Sequence, residues 1–132
     1  KAEIALRESE ERFHTIADLS PFPISIIDQD GRYLYINRKF TEMFGYALSD
    51  IPSGKEWFML AFPDPNYRED VIKTWMSDLQ GHGVGEVRPR QFKVRCRNGE
   101  VRDILFRPVT LSDKKQYVTY EDLLEVHHLS AS

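Results

Sequence analysis

Four histidines, one cysteine and a strip of basic residues are what this chain offers for chemistry. His14, His82, His127 and His128 stand at no metal-ligand spacing, and Cys96 alone cannot complete a zinc site. No nucleophile has an evident base partner, and no carboxylate pair sits in an apolar setting, so an enzymatic reading finds little support. The Gly-Lys pair of "PSGKEW" (52–57) lacks the upstream glycine and following Ser/Thr of a phosphate loop. The glycines of "GHGVG" (81–85) lack the strand before and helix after that a nucleotide loop needs. Arg88, Arg90, Lys93, Arg95, Arg97, Arg102 and Arg107 fall on strand-like sequence, a pattern that serves single-stranded nucleic acid when exposed aromatics are interleaved. Yet the net charge is −3, and Glu3, Glu8, Glu10 and Glu11 can face that strip. A solvated or helix-facing sheet surface is therefore the stronger reading, and no nucleic-acid partner is expected.

The bulk numbers fit that picture. With 132 residues, 41% of them hydrophobic and 30% charged, the chain suits one domain with a modest core. No run of about 18 apolar residues exists to span a bilayer, so no membrane insertion is expected. One thiol excludes an intramolecular disulfide and fits a reducing, cytoplasmic setting, although a larger parent could be membrane-anchored. "KAEIALRESEERF" begins as though mid-helix, which points to a piece of a longer protein.

The elements that must position these residues follow from periodicity and turn chemistry. Residues 2–19 read as a helix whose seam is Ala2, Leu6, Ser9, Phe13 and Ile16, ended by Pro21 and Pro23. In "IIDQDGRYLYINRKFTEMFGY" (26–46) a strand is followed by a two-residue Asp30-Gly31 turn and a returning strand. That second strand would put Leu34 and Ile36 on one face, Tyr33 and Tyr35 on the other. Asn37 is placed to cap a helix carrying Phe40, Met43 and Phe44, and Gly45 to stop it. Ser53 and Glu56 have capping-box spacing before Trp57, Phe58, Leu60 and Phe62. Asp64-Pro65 opens a helix with Val71, Ile72, Trp75, Met76 and Leu79 on one face, ending at Gly81. Asn98-Gly99 joins strands 86–97 and 100–111, and a two-residue turn there pairs Cys96 with Val101, Val94 with Asp103 and Phe92 with Leu105. Ile104 and Phe106 then share the other face with Lys93, Arg95 and Arg102. "QYVTY" (116–120) is a last strand. The class is α+β: a five-stranded antiparallel sheet with short helices between 38 and 80 on one face.

In that order the residues resemble a PAS domain, the PAS/PAC sensory box of multidomain signalling proteins. "LRESEERFHTIADLSPFPISIIDQDGRYLYINRKFTEMFGY" is similar to the family's opening, "KVRCRNGEVRDILFRPV" to its long hairpin, and "TYEDLLEV" to its closing Asp-Ile-Thr segment. In the last, Asp122 matches, Leu123 replaces Ile and Leu124 departs from Thr. The resemblance implies a connector and dimerisation helix at 1–20, a sensor domain at 21–122 and a connector toward an effector at 123–132. It also implies a small-molecule pocket between helices and sheet. Candidates for its walls are Ile26, Phe40, Phe44, Trp57, Leu60, Ile72, Trp75, Met76, Phe92, Val94 and Leu105. Their aromatic and methionine content suits a flat or acyl-like ligand. A homodimer would be built on Leu6, Ser9, Phe13 and Ile16, and a tandem second PAS domain is plausible from the connector-like start.

The signal would leave through Tyr120 to Val126, with Asp122 capping the next helix or pairing with a basic residue of the hairpin. Asp122→Ala is then expected to alter output while leaving the thermal midpoint nearly unchanged. The effector implied first is a sensor histidine kinase. The alternatives are a diguanylate cyclase or phosphodiesterase, a purely structural dimerisation module without ligand, and, remotely, a nucleic-acid-binding sheet. The fragment itself is not expected to be an enzyme.

Cofactor chemistry known in the family meets obstacles here. Haem-binding relatives supply a histidine from the long helix before the hairpin, but "NYREDVIKTWMSDLQ" has none and His82 lies past its end. Blue-light flavin relatives need a cysteine in an Asn-Cys-Arg motif on an earlier helix, whereas Cys96 sits on a strand. Haem and covalent-adduct flavin are therefore disfavoured, and the cofactor is unknown. His127-His128 lacks the acidic and basic neighbours of a phosphoacceptor histidine.

Overall fold

The structure, a computed structural model of the chain, describes residues 15–81 and 83–123. A helical stretch at 15–18 (α1) leads to β1 (Ile24–Ile27) and β2 (Tyr33–Ile36). Then come α2 (Arg38–Phe44), α3 (Gly54–Ala61), α4 (Pro65–Gly81), β3 (Arg90–Arg95), β4 (Val101–Thr110) and β5 (Gln116–Asp122). The strands form one five-stranded antiparallel sheet in the order β2-β1-β5-β4-β3, which puts β5 at its centre. Of the seam expected on a helix at 2–19, Ala2, Leu6, Ser9 and Phe13 lie outside the described residues. No helix among the described residues is long and apolar enough to cross a membrane.

All three hairpins turn in the same way. Asp28 N–H donates to Arg32 O and Gly31 N–H to Asp28 O; Cys96 pairs likewise with Glu100 and Gly99, and Leu111 with Lys115 and Lys114. Each is a three-residue turn whose last residue has positive φ: Gly31 at 86°, Gly99 at 89° and Lys114 at 70°. Glycine enters that region freely, whereas an L side chain there costs roughly 1 kcal/mol or more. Lys114 thus occupies the position that glycine fills in the two sister turns.

These turns correct the two-residue turns expected at Asp30-Gly31 and Asn98-Gly99. One extra residue moves the β3–β4 register by one, to Arg95–Val101, Val94–Arg102 and Phe92–Ile104. Because side chains alternate across a sheet, that slip exchanges faces. Ile104 and Phe106 join Phe92 and Val94 in the buried face, and Leu105 goes to the outer one opposite Gln91. A register shift between Ile26 and Ile27 acts similarly on β2. Tyr33 and Ile36 pack toward the core, while Leu34 is exposed and Tyr35 reaches outward to donate to Asp18 of α1.

The helices are ended as their sequences indicate. Asn37 Oδ1 accepts from Phe40 N–H at 3.1 Å, and Gly45, at φ 83°, donates its N–H to Thr41 O. A Cβ on Gly45 would stand 2.9 Å from that of Arg97, so glycine also lets α2 dock against the β3–β4 turn. Ser53 precedes α3 but donates its hydroxyl to Glu56 instead of accepting a backbone N–H, so the capping box closes only between side chains. That bond holds the Glu56 carboxyl below its usual value. Between α2, α3 and the sheet the aromatic rings meet edge to face: Phe40 lies 4.8 Å from Phe44 and 5.3 Å from Tyr120, and Phe44 lies 5.6 Å from Trp57.

Candidate functional site: a cavity between the helices and the sheet

A cavity of about 540 Å³ opens between α3, α4 and the inner face of the sheet, within the range typical of small-molecule sites. Trp57, Phe58 and Phe62 of α3 and the segment after it form one wall, and Val71, Trp75, Met76 and Leu79 of α4 another. Phe92, Phe106 and Tyr120 form the floor. Met76 and Leu79 are exposed because they border the opening, where no second layer covers them.

The floor is not wholly apolar. Ile27 pairs with Tyr33 on one side and Gln116 on the other, and Gln116 pairs with Thr110. Tyr33, Ile27, Gln116 and Thr110 therefore form one row across four strands, and all four line the cavity. Gln116 donates its amide to Thr110 Oγ1 at 2.8 Å. Burial pushes the Tyr33 and Tyr120 hydroxyls well above their ordinary value, so both stay neutral across the usual pH range. Tyr120 shares a 2.7 Å hydrogen bond with Ser25, while no described residue hydrogen-bonds the Tyr33 hydroxyl. Beyond the row stand Asp28, Asp30 and Gly31 of the β1–β2 turn and Lys114 of the β4–β5 turn.

Among the residues proposed from sequence for the pocket, Trp57, Trp75, Met76 and Phe92 are brought together on this lining. Phe40, Phe44 and Val94 lie in the core, fully enclosed by protein. Ile26 and Leu105 fall on the outer face of the sheet, because the longer turns set their register. Leu60 is exposed and Ile72 half-buried, both away from the cavity. Sequence reasoning missed the polar row, because the faces of β2 and β5 depend on turn length. The signal available was the recurrence of one turn geometry with lysine where the other two carry glycine.

At the far end of β5, Asp122 is 7% exposed and accepts from Arg102 at 3.2 Å; Arg102 also reaches Glu100. Asp122 thus pairs with a basic residue of the hairpin, while Leu124 to Val126 of the exit segment lie outside the described residues. Removing Asp122 takes one charge-assisted hydrogen bond from the partly buried Arg102, which keeps its contact with Glu100. Asp122→Ala therefore no longer carries the expectation of an unchanged thermal midpoint. Cys96, buried nearby, has its thiol pushed up by burial, the state of a packing residue and not of a reactive one.

The basic strip is largely engaged. Arg90 grips Asp78 with two 2.7 Å bonds and Arg88 lies 3.9 Å from the same carboxylate. Arg97 pairs with Asp50 and Arg107 with Glu121. His14, His82, His127 and His128 lie outside the described residues, among which no group of three or more metal-ligating side chains is found.

A five-stranded antiparallel sheet with helices on one face is shared with solved structures. The sequence profile described as "PAS domain" matches residues 11–80, more than half of the chain. The chain belongs to the PAS domain family. Among solved structures it is similar to the PAS domain of an HTR-like protein from Haloarcula marismortui, with 22% identity and a TM-score of 0.67 over 92% of this chain and 97% of that one. It is similar as well to a domain of a sensory box sensor histidine kinase/response regulator from Geobacter sulfurreducens, at 21% identity and a TM-score of 0.64 over 89% and 96%. A third is the Cronobacter turicensis RpfR quorum-sensing receptor PAS domain in complex with C12:0, at 19% identity and a TM-score of 0.62 over 79% and 95%. At these identities the likeness concerns the fold. No curated protein matches the chain. The PAS fold seen here is that of a family of regulatory modules.

Proposed function

We propose that this PAS domain is a sensor module that holds a small, largely apolar molecule in the cavity and relays its presence to an effector, in the first instance a sensor histidine kinase. The observation that carries the reading is the position of β5. Gln116 and Tyr120 on this central strand line the cavity, and Asp122, two residues beyond Tyr120, is locked to Arg102. A ligand that shifts the strand thereby acts on the ion pair through a rigid element, without crossing a loose linker. The RpfR PAS domain solved with C12:0 and the Geobacter sensor kinase domain support the reading by analogy of fold. A diguanylate cyclase effector fits the same relay.

The test is mass spectrometry of small molecules released from purified protein, compared with a Leu79→Trp variant whose larger ring narrows the opening. The native domain is expected to retain at least one apolar molecule that the variant loses. If nothing is retained, and no member of a panel of apolar molecules raises the thermal midpoint, the ligand reading is wrong.

A second reading, a dimerisation role, rests on α1 and the turn that ends it. Ile16 is 63% exposed and Leu19 79% exposed, beside Ile24 and Tyr117 on the outer face of the sheet. This apolar edge supports a homodimer. Leu19→Glu is expected to lower the sedimenting mass; a native chain that sediments as a monomer at high concentration argues against it.

A further inference from the structure

We infer that the cavity takes an amphiphile with a single carboxylate head, seated against Thr110 and Lys114 at the β4–β5 turn, with its apolar body between α3 and α4. This rests on the reading of the cavity as a ligand site and names what that site selects.

At the β4–β5 end of the row a donor is left over, beside the Gln116 carbonyl oxygen that can only accept. Gln116 already gives its amide hydrogen to Thr110 Oγ1, so the Thr110 hydroxyl is left to donate onward. Lys114 adds a positive charge at the same end of the cavity. Its neighbours Asp113 and Lys115 pair with each other at 3.3 Å, and no described carboxylate lies in salt-bridge range of Lys114 itself. A hydroxyl donor and an ammonium group at the β4–β5 turn suit what an ionised carboxylate accepts best.

The backbone of Lys114 points the same way. The two sister turns put glycine at this position and Lys114 holds φ 70° despite its side chain. A strained residue persists where its side chain serves something that glycine could not. Two carboxylates, Asp28 and Asp30, also border the opening and would favour a cation instead. Asp28 Oδ1 is already bonded by the N–H groups of Asp30 and Arg32, at 2.9 Å each, and Asp30 is exposed to solvent, which screens it. The remaining walls, Trp57, Phe62, Val71, Trp75 and Phe92, offer no polar side-chain partner except the indole N–H groups. The body of the ligand is therefore apolar.

Three probes that differ only in the head separate the possibilities: decanoate, decanol and the decyltrimethylammonium ion, each titrated against the fluorescence of Trp57 and Trp75 in the purified protein. Decanoate is expected to bind about tenfold more tightly than decanol, as one charge-assisted interaction allows. Lys114→Gly should abolish that preference, leave decanol affinity unchanged and raise the thermal midpoint, since glycine suits the turn. Thr110→Val should weaken decanoate by roughly threefold, a neutral hydrogen bond's share. Decanol or the ammonium ion binding as tightly as decanoate overturns the head-group assignment alone. The same holds if Lys114→Gly weakens decanoate and decanol equally. If none of the three probes binds, this inference and the ligand reading both fall.

Discussion

Asn37→Ala is expected to lower the unfolding free energy by about 3–4 kcal/mol, because one side chain satisfies four backbone groups, three of them through buried hydrogen bonds. Asn37 Oδ1 accepts from Ile24 N–H at 2.9 Å and from Phe40 N–H at 3.1 Å. Its amide donates to Ala17 O at 2.8 Å and to Phe22 O at 2.9 Å. The residue thus joins α1, the proline-bearing segment, β1 and the start of α2, and at 1% exposure no water replaces it. Urea denaturation followed by circular dichroism measures the loss; a change below about 1 kcal/mol would mean that the four bonds are easily re-formed with solvent.

Asn37→Asp sharpens the test. The carboxylate would face two carbonyl oxygens where the amide had donated, which disfavours its charged form and raises its folded pKa. A carboxyl whose folded pKa is raised stabilises less as pH rises past its unfolded value of about 4. The deficit of Asn37→Asp relative to the native chain should therefore grow between pH 4 and pH 7 and shrink in acid.

Phe40→Ala should cost about 3–5 kcal/mol and lower the thermal midpoint by more than about 10 °C. Phe40 is fully buried and its ring meets Phe44 at 4.8 Å, Tyr120 at 5.3 Å and Trp57 at 5.6 Å. Those rings are held by a helix, the central strand and a second helix, so they cannot all close on the void together. Phe40→Leu keeps most of the volume and should cost much less. Calorimetry on the two variants decides; equal midpoints would show that ring geometry there is unimportant. Phe40 does not line the cavity, so at temperatures where either variant is folded its ligand behaviour should match the native domain.

How much was legible from sequence follows from the range of the forces involved. Asn37 as a cap, Gly45 as a helix stop, Pro65 in a first helical turn and the apolar face of α4 are local matters, decided by residues within a few positions of one another. They could be read directly, and with them the α+β order and the resemblance to PAS domains. The position of Asp122 at the end of the last strand was legible for the same reason.

What sequence left open is everything that a one-residue change in turn length controls. Asn-Gly and Asp-Gly suit both two- and three-residue turns, and backbone pairing across the strands selected the longer one. That choice set the faces of Leu105, Ile104, Tyr33 and Leu34, and with them which side chains reach the cavity. The row of Tyr33, Gln116 and Thr110 draws on strands separated by most of the chain, and it exists only because β5 inserts between β1 and β4. By itself the sequence determined the elements and the family. Tertiary pairing decided the contents of the pocket, because a side chain's face is a property of register, and register is fixed by partners far away in the chain.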